Sequence, residues 1–373
     1  MTAYLDGWGY QDNLLPDYEA KAGHDTVVIA QSRHFPKYMS DKAIEEIRQK
    51  GKDYYYGKVH IYRVKAFVNT SSQTFICTGI YKILKKERPD VIFHHGVNSS
   101  SLLVSLIYKI FHPRINIFID NHADTINESK NKLWKALVVR GLLRAVVRMA
   151  NRYVTKYYGV TPGRCTYLHD TFGVPNEKIG LLPIGGDTDL IESIKETKFE
   201  LRAKYKLPKE SFIICSGGKM GCEKGTEQLI YSFSKIQEKN QNLLLLLFGK
   251  FLDNETEKLA NKTDGVCSIG WCDRTKTLEL LKVSDIAIWP VHHTTLIEDA
   301  VASALPIIVR ETSNTSHLIS NNGIFVYTGS EDEISKAISH IQSDYDFYKR
   351  NAEKVRNKFS YRNIVKIIEN DCR

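Results

Sequence analysis

The sequence predicts an α/β protein of two doubly wound, Rossmann-like domains. Three observations predict it. Short apolar runs alternate with helix-length segments over residues 26–183, and the same alternation returns over residues 211–327. A polar, charged stretch from about Asp187 to Glu210 separates the two series. The length, 373 residues, suits two domains.

In the first series, "TVVIA" (26–30), "DVIFHH" (90–95) and "INIFID" (115–120) read as buried strands of a parallel sheet, because both faces of such a strand must be apolar. "KVHIYRV" (58–64), "YYGVT" (157–161) and "IGLLP" (179–183) add further strands, and a helix fills about 130–156. In the second series the strands are "SFIICSGG" (211–218), "NLLLLLFG" (242–249), "VCSIGW" (266–271), "DIAIWP" (285–290), "PIIVR" (306–310) and "GIFVY" (323–327). Helices over 330–341, 345–358 and 362–370 close the chain. The expected domains are residues 1–190 and 207–344, with the C-terminal helical part from about 345 to 373 packing back on the first. Ligands of such sheets bind at the carboxyl ends of strands, so a cleft between two facing domains is the expected active site.

Composition narrows the function. Hydrophobic residues make up 42% and charged residues 25%, which is ordinary globular usage. No apolar run approaches the roughly 18 residues of a membrane span, and the opening "MTAYLDGWGYQDN" lacks the basic and apolar regions of a signal peptide. Seven scattered cysteines without a CxxC pair disfavour a zinc or dithiol site and fit a reducing cytosol. The net charge of +9 and pI near 9.0 call for an anionic partner.

The strongest motif is "CSGGKMGCEKGTEQLIYSF". A strand ends in Gly217 and Gly218, Lys219 and Lys224 follow, and a helix opens near Thr226. Bare backbone, two cations and a helix N-terminus suit a diphosphate; a tight turn with solvated lysines is the other reading.

This stretch resembles "GGR…EKG…LI.AF" of the retaining GT-B glycosyltransferases of family 4, the type that builds bacterial surface polysaccharides. The resemblance extends over nearly the whole chain. "GWGYQDNLLPDYEAKAGHDTVVIA" is similar to the family's first helix and second strand, with Gly7 and Gly9 in its flexible loop. "IDNHADT" is similar to its strand end and puts His122 near the sugar. "LLPIGGDTDLI", "FGKF" and "SIGWCDRTKTLELLKVSDIAIWP" resemble its linker, turn and base-binding motifs, with Gly270 and Trp271 beside the nucleotide base. The resemblance implies that Lys219 and Lys224 hold the diphosphate of a nucleotide-sugar donor, in the first instance a UDP-sugar, with no cofactor and no metal. It implies a hexosyl transfer to a saccharide or lipid-linked acceptor in capsule, exopolysaccharide or O-antigen synthesis. Attack is then on the face the leaving group vacates, the phosphate taking the proton.

Two departures stand out. Lys219 replaces a usual Arg, so bidentate contact is lost there. The donor loop, which in the family carries two glutamates, reads "WPVHHTTLIEDAVASALPIIV". The second glutamate corresponds to Glu298 or Asp299, as the ribose acceptor. His292, His293, Thr294 and Thr295 stand where the first belongs. Asp187-Thr188-Asp189 imitates a metal-binding DxD but matches the linker motif. His94 and His95 end a strand, as cleft-facing or as core residues.

Arg140, Arg144, Arg148, Arg152 and Lys156 recur every fourth residue with no acid among them. Like charges at this spacing destabilise a helix slightly. Beside Leu137, Val138, Leu142, Val146 and Met149 they suit an anionic bilayer surface, which places the protein in the cytoplasm, peripheral on the inner face of the cell membrane; a solvated helix face is the plainer reading. No nucleic-acid module is present. Two rival functions are a GT-B nucleotide-sugar epimerase and a degenerate, nucleotide-binding scaffold, the latter suggested by the missing glutamate. Finally, Gly7 and Gly9 come so early that "MTAYL" is expected to be a truncated first strand, with the natural start a few codons upstream.

Overall fold

The computed structural model describes residues 4–32, 35, 40–69, 75–97, 99–125 and 131–373. The chain divides into two compact units, Met1–Pro183 with Ile364–Arg373, and Ile184–Asn363. The return to the first unit is thus made by residues 364–373, not from about residue 345.

The N-terminal unit contains α1 (Gln11–Ala22), β1 (Val27–Gln31), α2 (Asp41–Gln49), β2 (Asp53–Tyr56), β3 (Val59–Val64), β4 (Ala66–Asn69), β5 (Phe75–Cys77), α3 (Ile80–Glu87), β6 (Val91–His95), α4 (Ser101–Phe111) and β7 (Asn116–Asn121). A helical run follows: α5 (Lys132–Trp134), a π-helical stretch (Lys135–Leu143) and α6 (Arg144–Ala150). Then come β8 (Lys156–Gly159), α7 (Pro162–Tyr167), a π turn (Leu168–Phe172) and β9 (Ile179–Leu181). The strands form a three-stranded sheet β1-β3-β2, a parallel four-stranded sheet β6-β7-β8-β9 and the hairpin β4-β5.

The helix expected over 130–156 ends at Ala150, because Lys156 is already the first residue of β8; residues 126–130 lie outside the described residues. Met1–Ala3 of the expected first strand also lie outside them. Tyr4 and Leu5 are buried but belong to no strand. Side chains satisfy their carbonyls instead: Arg63 Nη1 donates to Tyr4 O at 2.7 Å and Asn13 Nδ2 to Leu5 O at 2.6 Å.

The C-terminal unit contains α8 (Thr188–Ser193), α9 (Lys198–Lys204), β10 (Phe212–Met220), α10 (Thr226–Gln237), β11 (Leu243–Phe251), α11 (Asn254–Lys262), β12 (Val266–Ser268), α12 (Arg274–Val283), β13 (Ile286–Trp289), α13 (Leu296–Ala302), β14 (Ile307–Arg310), β15 (Gly323–Val326), α14 (Glu331–Ser343) and α15 (Tyr345–Val355). The last helix, α16, runs from Tyr361 to Asp371. The six strands are all parallel, in the order β12-β11-β10-β13-β14-β15.

Successive residues of a strand face opposite sides, and the two cores divide along that parity. Ile213, Cys215, Leu244, Leu246 and Phe248 fill one. Ile214, Leu243, Leu245 and Leu247 fill the other. That is why "LLLLLF" is apolar without interruption. The strand order reverses between β10 and β13, and ligands of doubly wound sheets settle beyond the strand ends at such a switch point.

Candidate functional site

β10 continues past Gly218 to Met220, paired with β11 through Gly218↔Gly249 and Lys219↔Lys250. Gly218 and Gly249 hold φ of 105° and 123°. A Cβ on Gly249 would come within 2.1 Å of the Gly218 carbonyl oxygen, so no other residue fits there. The Gly249 N–H donates to Gly270 O at 2.7 Å. Gly218, Gly249 and Gly270 therefore make a floor of bare backbone across the ends of three neighbouring strands. Trp271, 73% exposed, follows at its far edge.

Lys219 is exposed beside this floor, and Lys224 is half-buried at the end of the single 3-10 turn Cys222–Lys224. Gly225 follows and opens α10 with no side-chain cap. Val291 lies against it: a Cβ on Gly225 would meet Val291 Cγ2 at 2.1 Å. The loop after β13 thus crosses the start of α10. His292 fixes it there by donating from Nε2 to Glu223 O at 2.7 Å, and Thr294 Oγ1 comes within 3.9 Å of the position a Gly218 Cβ would take. Thr295 immediately precedes α13.

Glu298 and Asp299 are both buried, yet their surroundings differ. Asp299 takes the guanidinium of Arg274 in a bidentate pair, with Nη2 to Oδ1 at 2.7 Å. Glu298 accepts from His293 Nε2 at 2.8 Å through Oε1, while its Oε2 has no hydrogen-bond partner. Burial by itself would favour the neutral acid, but the neighbouring His293 and His317 outweigh it and hold the Glu298 carboxyl below its usual range. Sequence reasoning singled out neither Arg274, although it lies within the quoted "SIGWCDRTKTLELLKVSDIAIWP" stretch, nor His317, and both reach the site from segments distant in sequence.

The Asp187-Thr188-Asp189 segment is occupied structurally. Asp187 caps α8 by accepting from Leu190 N–H at 3.1 Å, and Asp189 pairs with Arg362 at 2.5 Å. Gly186 passes so close to α13 that a Cβ would lie 2.3 Å from Ala302 Cβ.

In the N-terminal unit the strand ends of β6 and β7 assemble a second polar cluster. Asp120 is fully buried. Its Oδ2 accepts from His95 Nδ1 at 2.8 Å and His122 Nε2 at 3.0 Å, and its Oδ1 from Gly96 N–H at 3.1 Å. Burial opposes ionisation of Asp120, but the two imidazoles prevail and hold it far below the carboxylate range. Burial likewise opposes charging of His95. Asp120, with Asp12 at 3.8 Å, overrides that and lifts His95 to about 9. His122 thus presents Nε2 to Asp120.

His94 does not share in this. Burial pushes it down to about 3, and the neutral ring donates from Nδ1 to Gly96 O at 2.9 Å and accepts from Ser101 Oγ at 2.8 Å. It ties β6 to α4. Gln11, at the start of α1, is fully buried with neither amide atom hydrogen-bonded; nothing in the sequence singled it out. Gly7, at φ 76°, and Gly9 lie in the loop before it, where a Gly7 Cβ would come within 2.9 Å of the Tyr56 hydroxyl. Among the described residues, His95, Asp120 and His122 are also the set whose donor atoms, within 4.8 Å of one another, could hold a metal ion. Here those atoms are hydrogen-bonded to each other.

The basic stripe divides in two. Arg140, Arg148 and Arg152 are exposed. Arg144 is half-buried and donates to the carbonyls of Asp170 and Thr171 at 2.9 and 2.8 Å, closing the end of the 168–172 turn. Lys156 pairs with Asp371 at 2.8 Å.

With this geometry in view, comparison with known proteins is informative. Residues 197–358, within the C-terminal unit, match the family model described as glycosyl transferases group 1. An uncharacterised glycosyltransferase of Methanocaldococcus jannaschii is 27% identical over 241 residues, which is 61% of this chain and 57% of that protein. The chain spans about half the length of the curated relatives it matches. Among solved structures, Anabaena HepE in complex with UDP superposes with a TM-score of 0.67 at 16% identity, covering 97% of this chain and 96% of that one. A glycosyltransferase from Rickettsia africae gives 0.66 at 17%, over 97% and 93%. The fold is that of the GT-B glycosyltransferases, with two Rossmann-like domains.

Proposed function

We propose that this chain moves a hexosyl group from a nucleotide-sugar, with UDP as the nucleotide, to a saccharide or lipid-linked acceptor in surface-polysaccharide assembly, with retention at the anomeric carbon. The observation that carries the reading is the open oxygen of the buried Glu298 carboxylate on α13, whose preceding loop reaches the glycine floor with Lys219 at its edge. An unpaired buried carboxylate oxygen is costly, and a ribose hydroxyl would satisfy it. Trp271 offers an apolar face to the base. As the bond to the anomeric carbon breaks, negative charge grows on the diphosphate. Lys219, Lys224 and the N–H groups at the start of α10 stabilise it, each donor contributing on the order of 3 kcal/mol. The leaving phosphate takes the proton of the attacking hydroxyl. On the acceptor side, His122 is held by Asp120 with Nδ1 turned to the hydroxyl. The exposed Arg140, Arg148 and Arg152, in a stretch with no acid from residue 131 to 169, support a position on the inner face of the cell membrane.

The test is a set of nucleotide-sugars screened for thermal stabilisation and slow hydrolysis. A ligand at about a hundred times its Kd adds about 2.7 kcal/mol of stability, or roughly 5–10 °C in a domain of this size. If neither UDP nor any nucleotide-sugar raises the melting temperature, the assignment fails.

A further inference from the structure

α4 carries large apolar side chains on both its inner and its outer side. Its inner side, with Leu102, Leu106 and Tyr108, joins the core of the N-terminal unit. Its outer side carries Leu103, Ile107, Ile110 and Phe111, which are 45%, 48%, 53% and 68% exposed. At about 100° per residue these four fall on one arc roughly 100° wide. This is a second hydrophobic stripe on a helix that needs one.

The neighbouring helical run repeats the pattern. Leu133, Trp134, Leu137, Leu142 and Met149 are all at least 38% exposed. In the π-helical stretch each N–H reaches back five residues, so Leu137 and Leu142 share one side. The two helical elements lie on the same face of the sheet. Both connect strands that advance in one direction, β6 to β7 to β8, and right-handed crossovers taken in one direction stay on one side. Leu102 and Leu106 of α4 share a single core with Val147 and Ala150 of α6.

The helical segments themselves carry cations and no acids. No Asp or Glu occurs from residue 91 to 119 or from 121 to 123, and none from 131 to 169. Arg114, Arg140, Arg148 and Arg152 are exposed. An apolar area flanked by these exposed cations is complementary to a layer that is anionic at its surface and apolar beneath. α4 has 11 residues, far short of the roughly 20 that cross a bilayer. None of the described helices is long and apolar enough to cross; an α4 that met a bilayer would lie in the plane of its interface.

We propose that α4 is a hydrophobic wedge: Leu103, Ile107, Ile110 and Phe111 enter the headgroup–acyl boundary of an anionic bilayer, while Arg140, Arg148 and Arg152 hold its headgroups. The proposal rests on the membrane-peripheral reading above and deepens it from surface attraction to insertion.

The experiment uses the full chain and vesicles of phosphatidylglycerol and phosphatidylcholine in equal parts. Charge attraction is screened at high salt, whereas insertion persists. At about 0.5 M salt, where the screening length is about 4 Å, the parent protein remains on the vesicles. The variant Ile107→Ser/Ile110→Ser/Phe111→Ser then partitions at least about tenfold less, a loss of roughly 1.4 kcal/mol or more. Arg140→Gln/Arg148→Gln/Arg152→Gln loses binding chiefly at low salt. Phe111→Trp adds emission that lipids brominated in the acyl chain quench. Thermal stabilisation by UDP is recorded for every variant. Its absence in the parent sinks the transfer reading and leaves the wedge standing; its retention in the serine variant shows that the variant is folded. The wedge is overturned if the parent does not sediment with anionic vesicles, if the serine variant partitions like the parent, or if the emission added by Phe111→Trp is unquenched. It is equally overturned if the parent is a dimer that the serine changes make monomeric, for then the face belongs to a second copy of the chain.

Discussion

Adjacent residues on α13 are expected to fail in different ways, and Asp299→Asn separates them. The change keeps the shape of the side chain and removes its charge. Asp299 is 3% exposed, and its loss of charge leaves the Arg274 guanidinium without the carboxylate of the bidentate pair. Breaking a buried pair on one side costs about 3–5 kcal/mol, since the remaining charge is left uncompensated. The Arg274 side chain is 23% exposed, so water recovers part of that, and about 3 kcal/mol is the better figure. The unit concerned runs from Ile184 to Asn363. For a domain of that length each kcal/mol moves the melting temperature by about 2–4 °C, so a fall of roughly 6–12 °C is expected by calorimetry. UDP affinity, measured on the folded protein well below the transition, stays within about threefold, a difference of less than about 1 kcal/mol. Arg274→Met with Asp299→Leu should recover most of the lost stability, because it leaves no orphaned charge. If Asp299→Asn melts within about 2 °C of the parent while UDP affinity collapses, then Asp299 holds the ribose and the roles are reversed.

Three further outcomes are expected. Glu298→Gln should weaken UDP binding by roughly 1–3 kcal/mol, about 5- to 150-fold; isothermal titration giving the parent's affinity would refute its role. Lys224→Ala should lower turnover about a hundredfold or more, and near-normal kinetics in both this variant and Lys219→Ala would remove the lysines from the diphosphate site. His95 is lifted to about 9 in the folded protein, above its ordinary value near 6.5. Its stabilisation is therefore complete below about pH 6.5 and is lost as pH rises through about 9. Melting of the parent should decline across that window, and His95→Gln should flatten the decline; an unchanged slope in the variant would refute the pairing with Asp120.

Strands of the parallel sheets were legible because burial on both faces forces unbroken apolar runs, as in Leu243 to Phe248 of β11. β2, "DYYY", was not, because its residues are largely exposed and carry no alternation. The short antiparallel pair β4-β5 was not singled out either. In the site, glycines and lysines adjacent in sequence were visible as a motif. Partners brought together by register were not. His95 and Asp120 are opposite each other on β6 and β7, a relation no local pattern contains. The choice between Glu298 and Asp299 stayed open in the sequence for the same reason: Arg274, which separates them, approaches from α12. Arg144 belonged to the periodic stripe, yet carbonyls at the end of a neighbouring turn claim it, and periodicity cannot tell a cation facing solvent from one capping a helix.

The glycine floor limits how this protein can change. Gly218, Gly249 and Gly270 present main-chain atoms alone, and the close approach of Gly249 to Gly218 O excludes any side chain there. A surface without side chains offers selection nothing to vary except its own collapse. If the floor carries the donor as proposed, new donor preferences are written beside it: Val291 packs on Gly225, His292 pins the loop to Glu223 and His293 pairs with Glu298, which leaves Thr294, near Gly218, and Thr295, just before α13, as the adjoining positions to vary. Libraries aimed at a different sugar should diversify those two positions and leave the floor untouched.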